Sequence, residues 1–361
     1  MNIYFLSLHT IDKNEDTTKQ RDIKIEDAQN YVQSLIKKLI SNESKREFEI
    51  VSESYVANNV KLIAQSLNIA LEESASTLIS EDSTNVSGIE TPCKFIEKSN
   101  LIATKFLNAQ KKSQEKYGAF TDIKSGGLIQ GLALEENYYI YVISFIDHSS
   151  FIDENDLLEK IGLPKDKATL KSAIFYLDLN FNFDKIYLSD SRINMTEYWY
   201  DYFLELKETR TDIVNTKNAY NHIAKVLSKS LYSKDKPDFI ALKNALDVYF
   251  SHQKEFNLNS CIEFMFSNYQ AQNDSINIEE LKRKIRKNDS IAQRFDSEFI
   301  INIHDIERKL KNQKFELTDN IELKLKNPKE NLQDYLYSTT IDDEKVLVIK
   351  NISEKAFNLF K

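Results

Sequence analysis

Four neighbouring segments near the middle of the chain have a strand pattern, in which apolar stretches are separated by short polar breaks. Residues 126–147 read GGLIQGLALEENYYIYVISFID, where two apolar stretches flank a polar break at Glu135-Glu136-Asn137. Residues 171–190 read KSAIFYLDLNFNFDKIYLSD and repeat the pattern about a polar turn at residues 180–184. Because apolar stretches on either side of a short polar break are typical of a β-hairpin, the four segments predict one sheet.

Helical spacing, with apolar residues every three or four positions, surrounds these strand segments. The predicted helices span residues 25–40, 57–71, 91–117, 153–161, 196–206, 217–231, 237–252, 260–270 and 278–287. The third of them begins at Thr91-Pro92, a favourable N-cap followed by proline at the first helical position, and ends before Gly118. Further strand patterns cover residues 2–8, 48–51, 314–317, 321–326, 335–340 and 345–349.

A polar stretch at residues 208–216 (ETRTDIVNT) separates the strand-rich half from the run of four helices that follows it. A chain of 361 residues is long enough for two hydrophobic cores. We therefore expect an α+β protein of two domains. The N-terminal domain, residues 1–210, should hold a mixed or antiparallel sheet with helices. The C-terminal domain, residues 211–361, should hold a helical block followed by small β-hairpins.

The composition is that of an ordinary globular protein, with 41% hydrophobic and 29% charged residues. No apolar run approaches the roughly 20 residues that span a bilayer, and the N-terminus lacks the basic region of a signal peptide. Cys93 and Cys261 are too few and too far apart for a disulfide framework or a zinc site. These observations predict a cytoplasmic protein without a membrane partner. The net charge of −8 argues against a histone-like polycation but leaves local basic surfaces open.

Five lysines share one face of the predicted helix at residues 91–117. At 100° per residue they fall within about 40° of one another, and they span about 33 Å of the helix axis. Residues 94–117 hold six lysines against Glu97 and Glu115. A straight basic ridge of this length could follow a phosphate backbone, and the alternative is a solvated face opposite the core. The five lysines are Lys94, Lys98, Lys105, Lys112 and Lys116.

A second basic segment is the predicted helix at residues 278–287. Arg283 and Lys284 stand four residues after Glu279 and Glu280, the order that favours an ion pair, so these cations could serve the helix alone. The other three cations have no acidic residue at that spacing, and we expect them to contact nucleic acid unless this is simply a solvated face. The residues predicted to contact DNA here are Lys282, Arg283, Arg286 and Lys287.

Signals for catalysis or for a cofactor are weak. Asp178, Asp184 and Asp190 recur around the second strand pair, and three carboxylates can hold Mg²⁺ in a nuclease. Acidic residues are also common at strand ends for solvation alone. Asp147 and His148 could form an acid–base pair at a strand end, where a capping role is the alternative. The glycine doublet that opens the first hairpin lacks the surrounding residues of a nucleotide-binding loop. We expect neither a metal nor a cofactor.

The order of these features resembles the bacterial nucleoid-associated protein family of the NdpA/YejK kind. The resembling stretches include a glycine doublet that opens the sheet, within residues 115–150, and a Tyr-Leu-Asp before the next strand pair, within residues 173–210. The helical block at residues 241–285 and the strand-rich tail at residues 299–360 follow in the same order. The resemblance covers most of residues 90–361 and implies a cytoplasmic, nucleoid-located protein that associates with DNA without catalysis. It implies no particular set of binding residues.

We therefore predict a DNA-binding protein that contacts the phosphate backbone of double-stranded DNA through lysine and arginine, largely without sequence preference. Two other classes stay open: a protein-interaction scaffold that recruits DNA-processing or defence partners, and a Mg²⁺-dependent nuclease. A homodimer would double weak basic patches across a two-fold axis. Tyr198, Trp199, Tyr202 and Phe203 form an aromatic face that could be its interface, although most such faces are core.

Overall fold

The computed structural model divides the chain into two compact units, residues 1–209 and residues 210–361. This boundary falls one residue before the position at which the sequence predicts it. The structure describes residues 2–12, 17–21, 26–42, 45–78, 93–118, 125–152, 157–162, 171–267, 269, 271, 276–287, 294–311, 313–330 and 332–360.

The first unit is built on an antiparallel sheet to which eight of its described strands belong. Its elements are β1 (Asn2–Asp12), β2 (Thr17–Arg21), α1 (Glu26–Ser41), β3 (Arg46–Glu49), α2 (Tyr55–Leu78), α3 (Cys93–Tyr117), β4 (Gly126–Glu135), β5 (Tyr138–Asp147), β6 (Ser149–Ile152), β7 (Glu159–Gly162), β8 (Lys171–Leu177), β9 (Phe183–Asp190), a π-helical turn (Tyr198–Phe203) and β10 (Lys207–Glu208). The strand order is β10-β3-β9-β8-β5-β4-β1-β2. The two predicted hairpins, β4–β5 and β8–β9, lie next to each other within this sheet, and the predicted α+β fold class is confirmed.

The sheet is covered on both faces, which explains the nearly unbroken apolar runs in its central strands. Successive residues of β4 point to opposite sides: Leu128 joins the core packed against α2 and α3, whereas Ile129 joins the core packed against α1. Gly131 lies on the α1 side, where a Cβ would come within 2.3 Å of Ile36 Cδ1. A larger side chain at this position would therefore push α1 away from the sheet.

A polar network is buried between β1, β4, β5 and α3. His9 Nε2 donates to Asn100 Oδ1 at 2.8 Å, and Gln130 Nε2 donates to the carbonyl oxygen of Ser99 at 2.9 Å. Tyr141 donates its hydroxyl to Gln130 Oε1 at 2.8 Å. Burial disfavours the charged imidazole and lowers the pKa of His9, although the bond to Asn100 opposes the shift. The network therefore fixes α3 on the sheet with neutral side chains.

The aromatic turn Tyr198–Phe203 lies in the core of the first unit. Trp199 and Phe203 are fully buried, and their ring centroids lie 5.7 and 5.0 Å from that of Phe106 on α3. Rings at this depth cannot contact a partner chain. Trp199 and Phe203 therefore cannot form the suggested dimer interface and instead hold α3 in place, while Tyr202 is half-buried and contacts Lys112 and Lys116.

Two helix predictions in the first unit need correction, and one predicted cap cannot be placed. α2 continues to Leu78, seven residues beyond its predicted end. Residues 159–161 of the helix predicted at residues 153–161 lie instead in β7, which pairs with β6 in a separate small hairpin, and residues 153–156 lie outside the described residues. The predicted N-cap of α3 at Thr91-Pro92 lies outside the described residues.

The second unit begins as a helical block and ends in two hairpins, as the pattern predicts. Its elements are α4 (Asp212–Leu231), α5 (Lys236–His252), β11 (Glu255–Asn257), α6 (Leu258–Phe266), α7 (Ile278–Arg286), β12 (Glu298–Ile300), α8 (Glu307–Leu310), β13 (Gln313–Thr318), β14 (Ile321–Leu325), α9 (Leu332–Tyr335), β15 (Leu336–Ile341), β16 (Glu344–Ile349) and α10 (Glu354–Leu359). The core packs α4 to α7 around Phe256 and Phe299, whose ring centroids are 4.4 Å apart. The hairpins β13–β14 and β15–β16 each form a separate two-stranded sheet.

Candidate nucleic-acid interface

The lysine stripe of α3 is partly neutralised by glutamates from a distant part of the first unit. Lys105 pairs with Glu205, and Lys116 pairs with Glu197 at 3.0 Å. Lys116 also donates to the hydroxyl of Tyr202 at 2.6 Å, and this bond is the largest cause that raises the pKa of Lys116. Both glutamates flank the π-helical turn, so the contacts fasten α3 to that turn.

The other three lysines of the stripe have different surroundings. Lys98 pairs with Glu97 at 2.9 Å, and the ammonium group of Lys112 lies 4.2 Å from the ring centroid of Tyr202. Lys94 is exposed. Because three of the five lysines have carboxylate partners, this face is not the uncompensated basic ridge that the sequence predicts. Most of its charge is used in packing.

The cations of α7 are paired differently from the prediction. Glu280 pairs with Lys284 at 2.8 Å, as its spacing predicts, but Glu279 pairs with Lys282, also at 2.8 Å. The hydrogen bonds from these lysines lower the pKa of both glutamates. Lys282, which we expected to have no acidic partner, is therefore compensated, whereas Arg283 is exposed to solvent.

A basic cavity of about 690 Å³ lies between α4 and α7 in the second unit. The ionisable residues of its wall are five lysines, one histidine and one glutamate. Among the cations predicted to contact DNA, Lys287 alone belongs to this wall. Arg286 instead places its Nε 3.3 Å from Oδ1 of Asn259. The five lysines are Lys225, Lys229, Lys234, Lys284 and Lys287.

Three of these lysines come from α4 and the residues just after it, and the sequence analysis missed them. Lys225 and Lys229 stand four residues apart, so they share one face of the helix about 6 Å apart along its axis. With Lys234 they are exposed, and within the described residues their ammonium groups have neither an ion pair nor a hydrogen bond. A signal for them exists: residues 213–234 hold four lysines and no acidic residue.

His222 lies on the cavity wall and holds α4 against α7. Its Nε2 donates to the carbonyl oxygen of Ile285 at 2.9 Å, and its ring centroid lies 5.6 Å from that of Phe295. The contact joins the two helices that carry the lysines. The shape of the basic cavity therefore depends on this contact between α4 and α7.

The charges around this cavity favour a polyanion. Its one glutamate, Glu280, already pairs with Lys284, so it does not neutralise Lys225 and Lys229 as well. Like charges about 6 Å apart repel by about 0.7 kcal/mol in water, and a phosphate bound between them would attract both. The N-terminal end of α7, capped by Asn277, lies on the same wall and adds partial positive charge.

The aspartates of the second hairpin do not share a site. Asp178 accepts from the backbone N–H groups of Asn180 and Asn182 at 2.8 Å each, and the bond from Asn182 contributes most to lowering its pKa. Asp190 accepts instead from Lys171, its cross-strand neighbour at the other end of the hairpin. Seven residues of strand, about 23 Å, separate the two aspartates. Within the described ranges, no group of three or more His, Cys, Asp or Glu side chains is placed to hold a metal ion.

Comparison with known proteins adds no relative. No family model matches this chain, and no curated protein matches it. The resemblance to nucleoid-associated proteins therefore stays an interpretation of the sequence. For the part of the chain that the structure describes, no helix combines the length and apolar composition that crossing a bilayer requires.

Proposed function

We propose that this protein binds double-stranded DNA through the phosphate backbone, largely without sequence preference, at the basic cavity between α4 and α7. The observation that carries the proposal is a wall of five lysines around one glutamate that is already paired. Lys225 and Lys229, about 6 Å apart, span about two phosphates of one strand, which follow each other every 3.4 Å along the duplex axis. The resemblance to nucleoid-associated proteins supports the same function and a place in the cytoplasm, at the nucleoid.

The experiment is fluorescence anisotropy of a labelled duplex, titrated with protein between about 50 and 200 mM salt. Each lysine that displaces a counterion contributes about 0.9 to the log–log salt slope, so five contacts give a slope of about −4.5. Affinity should then fall about 500-fold over this fourfold range of salt. A triple alanine variant retains two contacts, a slope of about −1.8 and a loss of only about 12-fold. The three positions changed are Lys225, Lys229 and Lys234.

The matched control replaces three lysines of the α3 stripe by alanine and changes the net charge by the same amount. Its positions are Lys94, Lys98 and Lys112. We expect its salt slope to stay close to that of the unchanged protein. If the salt slope becomes shallower in this control and stays unchanged in the cavity variant, DNA contacts the lysines of α3 and not those of the cavity.

Failure of the unchanged protein to bind at about 50 mM salt would overturn the proposal. The scaffold hypothesis would then gain weight, because it requires protein partners and no salt-dependent DNA affinity. Cleavage of plasmid DNA in the presence of Mg²⁺ would favour the nuclease hypothesis instead. Asp178→Ala tests that outcome: cleavage should be abolished if Asp178 holds the metal ion, and should be unchanged if Asp178 only caps the turn.

A further inference from the structure

The last hairpin of the second unit, β15–β16, exposes apolar side chains to solvent. None of the 12 residues in its two strands is buried, and Leu347 and Ile349 are 39% and 47% exposed. The helix α10 that follows exposes Phe357 to 57%. An isolated two-stranded hairpin is marginally stable at best in water, and further strands would bury part of this surface.

The hydrogen-bond pattern of the hairpin determines which backbone groups lie on its open edge. The N–H of Lys350 donates to the carbonyl oxygen of Tyr335 at 2.8 Å, so every second residue back along β16 bonds to β15. The N–H and C=O groups of Lys345, Leu347 and Ile349 therefore point away from β15. They form a row of donors and acceptors along the outer edge of β16.

We propose that β16 pairs antiparallel with β16 of a second copy of this chain, in the register centred on Leu347, to form a homodimer with a four-stranded sheet. In this register Leu347 lies opposite Leu347 of the second copy, and Lys345 lies opposite Ile349 of the second copy. The outward N–H and C=O groups of both strands then meet each other. An extended edge rich in apolar residues is a ready template for such pairing.

In this register the charged residues at the two ends of residues 344–350 lie opposite residues of opposite charge on the second copy. Glu344 lies opposite Lys350 of the second copy, and two-fold symmetry produces the pair twice. Both positions belong to non-hydrogen-bonded pairs, where Cα atoms approach to about 4.5 Å and side chains come closest. Between the two charges, residues 346–349 (VLVI) supply an unbroken apolar stretch.

Three other open edges among the described strands are less suited to pairing. At one end of the large sheet, β2 is short and polar (TTKQR), and at the other end β10 has two residues. β14 is interrupted by Glu322 and Lys324. Short or charged edges resist the addition of another strand. The edge of β16 combines length, apolar residues and self-complementary charge.

The test uses the full chain without DNA, so it is independent of the proposed function. Analytical ultracentrifugation at about 50 mM salt should show a monomer–dimer equilibrium for the unchanged protein. Glu344→Lys places two lysines opposite two lysines, and Lys350→Glu places glutamates opposite glutamates. Each change should raise the dimer dissociation constant about fivefold or more. Because these positions are exposed, circular dichroism should show both variants to be folded.

Mixing the two variants gives the decisive result. In the mixed dimer, the two lysines of the Glu344→Lys chain would face the two glutamates of the Lys350→Glu chain, so heterodimers should form with an affinity close to that of the unchanged protein. Glu354→Lys, which makes the same charge change on α10, is the matched control and should leave the dissociation constant unchanged. A monomeric unchanged protein at about 100 μM would overturn the proposal. Dimerisation unaffected by either charge reversal, or a mixture that fails to associate, would overturn it as well.

Discussion

Replacing Lys243 by methionine should expose how much the second unit depends on one buried charge. Asp247, on α5, is fully buried and accepts hydrogen bonds from Lys243 at 2.6 and 2.7 Å. Tyr220 of α4 donates its hydroxyl to the same carboxylate at 2.8 Å, and Gln313 of β13 donates its side-chain amide to it. The carboxylate therefore joins α4, α5 and the first terminal hairpin. Methionine keeps the aliphatic length of lysine and removes only the ammonium group.

The free energy of unfolding of the second unit should fall by about 3–5 kcal/mol at neutral pH, because removing one partner of a buried ion pair leaves an uncompensated charge. Burial already raises the pKa of Asp247, and Lys243 opposes that shift. Without Lys243 the folded-state pKa rises further above the unfolded value of about 3.9. The folded state then binds the proton more tightly, so the variant loses stability as pH rises from about 4 through its folded pKa. The loss of stability of Lys243→Met relative to the unchanged protein should therefore be smaller at about pH 5 than at about pH 8.

The assay is native-state hydrogen exchange read by mass spectrometry on peptides of α4 and α5. This readout separates the second unit from the first, which a global unfolding signal would not do. Lys282→Met is the matched control, since its partner Glu279 is largely exposed and its removal should leave exchange unchanged. Adding Asp247→Asn to Lys243→Met should recover much of the protection, because the uncharged amide retains partners in Tyr220 and Gln313. Equal exchange in Lys243→Met and Lys282→Met would refute the reasoning.

Two further predictions concern the first unit, whose unfolding can be followed by the fluorescence of Trp199, the only tryptophan in the chain. Gly126→Ala would place a Cβ 2.4 Å from the carbonyl oxygen of Ile146, so the free energy of unfolding should fall by about 1–3 kcal/mol, and an unchanged urea midpoint would contradict that contact. Because the pKa of His9 is lowered in the folded state, the stability it contributes should be complete above about pH 6.5 and be lost as pH falls below that value. In the His9→Gln variant, the urea midpoint of unfolding should change less between about pH 7.5 and 5.5 than in the unchanged protein. If the midpoints of both proteins change equally with pH, His9 is not the cause of the pH dependence.

The parts of the fold that the sequence predicts are those in which local pattern and tertiary environment agree. The hairpins β4–β5 and β8–β9 both form about polar turns: the first turn lies where the pattern predicts it, and the second covers residues 178–182 where the pattern predicts 180–184. The helices α4 to α7 show their apolar faces at helical spacing and appear in the predicted order. The helix predicted at residues 153–161 is wrong at residues 159–161, because a short stretch of mixed polarity fits either period and these residues pair with β6 as part of β7.

The site was harder to predict because ion pairing depends on partners that are distant in sequence. Lys105 and Lys116 form a clear stripe along α3, yet Glu205 and Glu197, some 80 to 100 residues later, neutralise them. Nothing in the spacing of the lysines reveals this. Near neighbours mislead as well: Glu279 has lysine or arginine both three and four residues later, and in the structure it pairs with Lys282.

Acid-free stretches are therefore a better guide to an available basic surface than dense clusters of lysine and arginine. In α7 two glutamates come just before the cations and pair with two of them, whereas residues 213–234 hold four lysines and no acidic residue. Of these, Lys217 pairs with Asp305 at 3.1 Å, outside the cavity, so the sequence signal alone selects one residue too many. The structure identifies the available lysines, because Lys225, Lys229 and Lys234 line the cavity together with residues of α7, whereas Lys217 does not. A protein with a net charge of −8 can in this way present a concentrated positive surface at one place.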